Sequence, residues 1–204
     1  MTVKVYVEGG GDHNKELDTR CRQGYSQFLR KAGLEGRMPR VVACGGRGNA
    51  FDSFRTSHEN SGPDDFPILL VDSEEPVVGK NPWEHVGLRP GDGWDRPQTA
   101  SDDQLHLMVQ AMEAWFYTDK DTLQEYYRQG FRAAALKQRP DIENIATADL
   151  FDGLQRATKD CQKGEYSKGE HSFQILALID PSKVRASSPA ADRLLRVLDQ
   201  RCKP

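Results

Sequence analysis

Four consecutive aliphatic residues, Ile68, Leu69, Leu70 and Val71, follow Phe66-Pro67 and stop at Asp72. A strand with one solvated face alternates apolar and polar side chains; a strand covered on both faces reads as a continuous apolar run, as inner strands of parallel sheets do. The preceding residues fit such a sheet. Residues 2–7 are β-branched and alternating, and they break at Glu8-Gly9-Gly10-Gly11-Asp12. Residues 15–32 then carry Leu17, Cys21, Tyr25, Phe28 and Leu29 at helical spacing, closed by Gly33. A second short strand over 40–44 is broken by Gly45-Gly46-Arg47-Gly48, and a helix from Asn49 to about His58 turns Phe51 and Phe54 inward. The order is βαβαβ, which predicts an α/β fold with a Rossmann-like central parallel sheet flanked by helices. Ligands on such sheets collect beyond the carboxyl ends of the strands. All three strands end there in polar loops, at Glu8–Asp12, Gly45–Gly48 and Asp72–Glu75.

The rest of the chain is less explicit. Residues 75–104 are rich in proline and glycine and show no clear period, which predicts a long functional or lid-like loop. Residues 103–117 are apolar on most sides and predict a buried helix, with His106, Gln110, Glu113 and Tyr117 forming one polar stripe. Short amphipathic helices over 120–160, a polar loop over 161–171 and a final helix before residue 200 complete the pattern. The expected organisation is an α/β domain over 1–118 and a C-terminal helical extension over 119–204 packed on it.

Composition limits the partners. Net charge is −3, so no global basic field advertises nucleic-acid coating, although a local basic groove stays open. Cys21, Cys44, Cys161 and Cys202 are widely spaced without a CxxC pair, which excludes zinc-finger spacing and predicts reduced, mostly buried thiols. With no leader-like segment and no apolar run of about 20 residues, a cytoplasmic protein without a membrane partner is expected.

Asp72 and Glu74 leave a buried strand two residues apart, so their carboxylates are expected to converge. Converging carboxylates repel unless a proton or a hard divalent cation intervenes; the bland alternative is a solvated turn. Glu8 ends the strand expected beside theirs, which favours the cation. Gly9, Gly10 and Gly11 let the backbone approach a ligand and could offer amides to a phosphate, or simply form a flexible turn.

The arrangement of strand, Glu8, glycine-rich loop, helix, strand, helix, strand and Asp72-x-Glu74 resembles the Toprim domain of topoisomerases, primases and overcoming-lysogenization-defect nucleases. The blocks EGGGD, ACGGR, LLVDSE, HLMVQAMEAWF and YSKGEHS are, more narrowly, similar to a bacterial Toprim-like family of uncharacterised function often found beside an ABC/SMC-type ATPase in anti-phage operons. The resemblance implies a Toprim-like fold over roughly residues 1–118. It makes Glu8 a general acid/base and Asp72 and Glu74 ligands of one or two Mg²⁺ or Mn²⁺ ions, with Glu74 standing where Asp is common. It also implies nucleic acid as substrate, DNA or RNA (tRNA included), an ATPase partner and a phage-defence role, and it leaves a homodimer open.

Further residues fit that chemistry. Glu113 either adds a ligand to the acidic site or belongs to a structural network. Lys168 could supply a cation to a phosphoryl group, as could His171 and Arg47 at a phosphate, or each is an ordinary surface group. Asp12 is a helix N-cap or a further metal ligand. Trp83 and Trp94 could stack a base, although packing under the long loop suits them better. The leading expectation is a metal-dependent nuclease; the alternatives are a non-catalytic regulatory or binding subunit of an ATPase complex and a small-phosphoester hydrolase.

Overall fold

The polar residues that end the strands are brought together by a four-stranded parallel sheet of order β2-β1-β3-β4, seen in a computed structural model that describes residues 2–10, 14–137 and 139–203. β1 (Thr2–Val7) pairs with β2 (Arg40–Ala43) on one side and β3 (Asp65–Asp72) on the other, with Val7 opposite both Ala43 and Leu70. That register sets Glu8 beside the carboxyl end of β3. The predicted α/β class with a flanked parallel sheet is what the chain adopts.

Side chains of period two divide the core. Val3, Val5, Val7, Ile68 and Leu70 face one layer, and Tyr6, Leu69 and Val71 face the other. On the first side lies α1 (Lys15–Leu29), which buries Cys21, Tyr25 and Phe28 and stacks Phe28 on Trp115 at 5.1 Å. Asn14 caps its start by accepting from the Leu17 amide at 3.1 Å. On the second side lies α2 (Arg47–Glu59), with Phe51 and Phe54 inward, and α3 (Pro82–Leu88) with Trp83 and Val86.

The predicted helix over 103–117 is not there. Residues 105–108 form β4 (Leu105–Met108), parallel to β3 with Leu105 opposite Leu69. The backbone then turns through Gln110 at φ 63°, and only α4 (Glu113–Phe116) is helical. A run buried on both faces has no polar side to reveal its period, so strand and helix look alike in it. His106, Gln110, Glu113 and Tyr117 therefore share no stripe. Nor are residues 75–104 structureless: Asn81 caps α3, and a capping box between Ser101 and Gln104 closes the segment.

After residue 119 come α5 (Lys120–Tyr127), α6 (Thr147–Thr158), α7 (Lys168–Leu178), α8 (Pro181–Ser187) and α9 (Pro189–Arg201). Leu123, Leu154, Ile175 and Leu198 join the same apolar cluster as β1 and α1, so one core runs through both parts of the chain. α7 approaches α1 closely because Gly24 lacks a side chain: a Cβ there would lie 2.7 Å from the Phe173 carbonyl oxygen. That contact aims the first residue of α7, Lys168, at the sheet's carboxyl edge. Among the described residues no helix is long and apolar enough to cross a membrane.

Candidate metal centre

Three carboxylates meet at the ends of β1 and β3. One oxygen each from Glu8, Asp72 and Glu74 lies within 4.8 Å of the others, a cluster that could hold a metal ion. Asp72 is the most deeply set. Its Oδ1 accepts from the Met112 amide at 2.7 Å and its Oδ2 from Lys168 Nζ at 3.1 Å. Glu8 Oε2 accepts from the Asp72 amide at 3.3 Å, so the backbone of one acidic residue orients the side chain of another. Glu74 does not extend the strand. It sits in the left-handed region at φ 64°, pinned by its amide on Gln110 O at 2.8 Å and by Thr147 Oγ1 on its own carbonyl at 3.0 Å. The convergence expected from strand alternation is thus reached by a kink.

Ser73 stitches this corner together. Its hydroxyl accepts from the Gln110 amide at 2.7 Å, and its carbonyl faces His85 Nε2 at 3.1 Å. His85 Nδ1 accepts from the Val78 amide at 3.2 Å, so Nε2 carries the proton and donates to Ser73. No sequence pattern pointed to His85.

Electrostatics follow from the crowding. Burial and then the charge of Asp72 raise the Glu8 carboxyl to about 7, against the pull of Arg47 and Lys168. Glu113 is fully buried and also raised, first by desolvation and partly by Asp72, while Lys168 pulls the other way. Its Oε1 accepts from Tyr166 Oη at 2.6 Å, and among the described residues its Oε2 has no hydrogen-bond partner. The ammonium of Lys168 works against burial, but Asp72 and Glu113 outweigh that and push it upward.

Arg47 is brought to the cluster but is not free. Its Nε and Nη2 grip both oxygens of Asp92 at 2.6 Å, Nη1 donates to the Asp72 carbonyl, and Nη1 lies 3.4 Å from Glu8 Oε2. Trp94 covers it at 4.8 Å and stacks on Phe51 at 4.5 Å. So the guanidinium positions Glu8 and the end of β3, and Trp94 is a packing residue. Trp83 is buried, against Phe54, where Trp94 is only partly so. Asp92, which holds Arg47, was invisible in a loop without period.

Two expected phosphate ligands are used elsewhere. The Gly9 amide donates to Gly45 O at 2.9 Å in a reciprocal bridge, and a Cβ on Gly9 would meet the Phe173 ring at 2.9 Å, so its smallness serves packing. His171 lies in an aromatic cluster with both ring nitrogens on backbone, at Ser167 N (3.0 Å) and Lys163 O (3.2 Å). It therefore closes the start of α7 and does not reach the carboxylates. Gly10 is left-handed at φ 92° beside Asp18. Gly11 and Asp12 lie outside the described residues.

With this geometry in place, one family answers. A sequence model described as "Domain of unknown function (DUF4276)" matches residues 7–199. The chain belongs to the DUF4276 family. No curated protein and no solved structure matches it. The DUF4276 match spans the acidic cluster, the loop with Asp92 and the helix carrying Lys168, so all parts of the site fall inside the family's span.

Proposed function

We propose that this DUF4276 protein is a metal-dependent phosphodiesterase acting on nucleic acid, with Mg²⁺ or Mn²⁺ as its ion. The carrying observation is the set of three carboxylates on two adjacent strand ends with Lys168 against them. An all-oxygen donor set suits a hard divalent cation. Glu8, held near 7 by burial and by Asp72, and the unpartnered Glu113 Oε2 describe a site with more negative character than its cations balance. Such an ion, when bound, lowers the pKa of water and draws charge from a phosphoryl oxygen.

The chain's residues would divide the work. Asp72 and Glu74 bind. Glu8, whose carboxyl titrates close to neutrality, takes a proton from the attacking water at Oε2. Lys168 follows developing charge on the phosphate, because its side chain is half exposed while its partner Asp72 is buried. Arg47 keeps Glu8 in place. Glu113, sharing Lys168 with Asp72, positions the ammonium.

The test is incubation of the protein with Mg²⁺ or Mn²⁺ and single- and double-stranded DNA and RNA. Cleavage by the wild type that is lost in Glu8→Gln and Asp72→Asn, with both variants folded, is expected. Intact nucleic acid under every condition, with metal shown to bind, would overturn the catalytic reading and leave a binding or assembly role for the site.

A further inference from the structure

A second concavity, of about 1280 Å³, lies between the end of α5 and the loop after α6, walled by Tyr126, Tyr127, Arg128, Asp160 and Lys163 and by none of the metal-centre residues. Its residues are arranged in ways that packing alone does not require. Arg128 has φ 60° and ψ −128°, a backbone state that suits glycine. Its amide caps α5 on Gln124 O at 2.7 Å, a task glycine performs without strain at helix ends. The strain is therefore incurred to keep an arginine at the rim.

Three cations of the surrounding helices and loops are committed to carboxylates: Arg132 to Asp160, Arg156 to Asp152, Lys183 to Asp119. Among the described residues Arg128 and Lys163 make no such pair, and Lys163 Nζ rests over the Tyr126 ring at 4.8 Å. In the wall, Tyr127 is buried and meets Tyr126 edge-on at 4.8 Å, which fixes the Tyr126 ring at the groove. Two cations without a carboxylate partner and a half-buried aromatic ring answer one chemistry, anionic oxygens carried beside a planar base. Asp160 is neutralised by Arg132, and Glu125 can accept from a base amino group.

We propose that this groove binds single-stranded nucleic acid, with phosphates at Arg128 and Lys163 and a base taking the Tyr126 face that Lys163 leaves when it turns to a phosphate. It goes beyond the reading of the acidic site, and binding there requires no cleavage. The two places are joined physically. The Lys163 carbonyl accepts from His171, and His171 secures the turn of α7 whose first residue, Lys168, meets Asp72.

The experiment is fluorescence anisotropy of a short labelled single-stranded oligonucleotide with the full chain in chelator, over a salt series. Arg128→Glu, Lys163→Glu and Arg128→Gly are compared, each checked for folding by its melting temperature and for Mn²⁺ binding by calorimetry. Saturable binding is expected in the wild type, weakened about tenfold or more by either charge reversal, with a shallower salt slope. Arg128→Gly should melt higher yet bind more weakly, a split that a purely structural role would not produce. Binding unchanged in both charge reversals, or absent in the wild type, overturns the groove even if the protein cleaves nucleic acid. Binding lost with Mn²⁺ binding intact supports it even if no cleavage is found.

Discussion

Asp119 and Asp72 are both buried carboxylates facing a lysine, yet their surroundings are opposite. Asp119 receives the Thr122 hydroxyl at 2.7 Å, the Asp180 amide at 2.9 Å and Lys183 at 2.6 Å, and caps α5 through the Thr122 amide. Burial pushes it upward, but those bonds outweigh burial and hold it below the usual carboxylate range. Asp72 instead lies between Glu8 and Glu113 with Lys168 against it, and burial first, then the charge of Asp72, raises both glutamates. A carboxylate kept for stability is surrounded by donors. In the candidate metal centre Glu8, Asp72, Glu74 and Glu113 outnumber Lys168 and Arg47, the cations set against them, and a divalent cation would supply the difference.

The comparison is sharpened most by Asp72→Asn. Calorimetric titration with Mn²⁺ should show affinity falling by more than the roughly 10–100-fold that loss of an outer-shell partner costs, while the variant stays folded because a like-charge contact has gone. Binding retained at wild-type strength would place the metal elsewhere. Asp119→Ala should do the reverse. It removes a helix cap and strands the Asp180 amide, costing about 2 kcal/mol in denaturant unfolding, and leaves Mn²⁺ binding unchanged.

The two regions also differ in the sign of their pH dependence. Between 4.5 and about 7 the folded, metal-free protein keeps a proton on Glu8 that the unfolded chain has released. Stability in chelator should therefore fall as pH rises through that window. Asp119, being depressed, contributes stability above its ordinary value of 3.8 that is lost as pH falls through its folded pKa. Urea midpoints at fixed pH should show the neutral-side slope flattened by Glu8→Gln and the acid-side loss reduced by Asp119→Asn; a Glu8→Gln profile parallel to the wild type would remove Glu8 as the source. The smallest effect is expected from Tyr166→Phe, which takes the donor from Glu113 Oε1 and should cost about 1 kcal/mol without abolishing metal binding.

Much of the sheet was legible because each strand announced its end. β1, β2 and β3 stop at glycine or at acid, and the residues that stop them are those that meet. β4 was not legible. Leu105–Met108 is buried on both faces, and a short apolar run without a polar side carries no period to separate strand from helix. Glu8 and Asp72 could be proposed from position alone. The state of Glu74 could not, since a left-handed residue that is not glycine leaves no trace in sequence. Arg47 was singled out for its charge, but its role depends on Asp92, forty-five residues away in a loop, and long-range pairing of that kind is visible only in three dimensions.

The lysine of the metal centre comes from residue 168 and its partner from residue 72, ninety-six positions apart. During synthesis the carboxylates of β1 and β3 leave the ribosome well before α7 exists, and domains form as their residues emerge. For that interval the nascent chain holds an acidic corner with no ammonium to temper it. A message broken between codons 75 and 167 would yield a polypeptide with the three carboxylates but without Lys168, so assembly of the centre waits on the synthesis of α7.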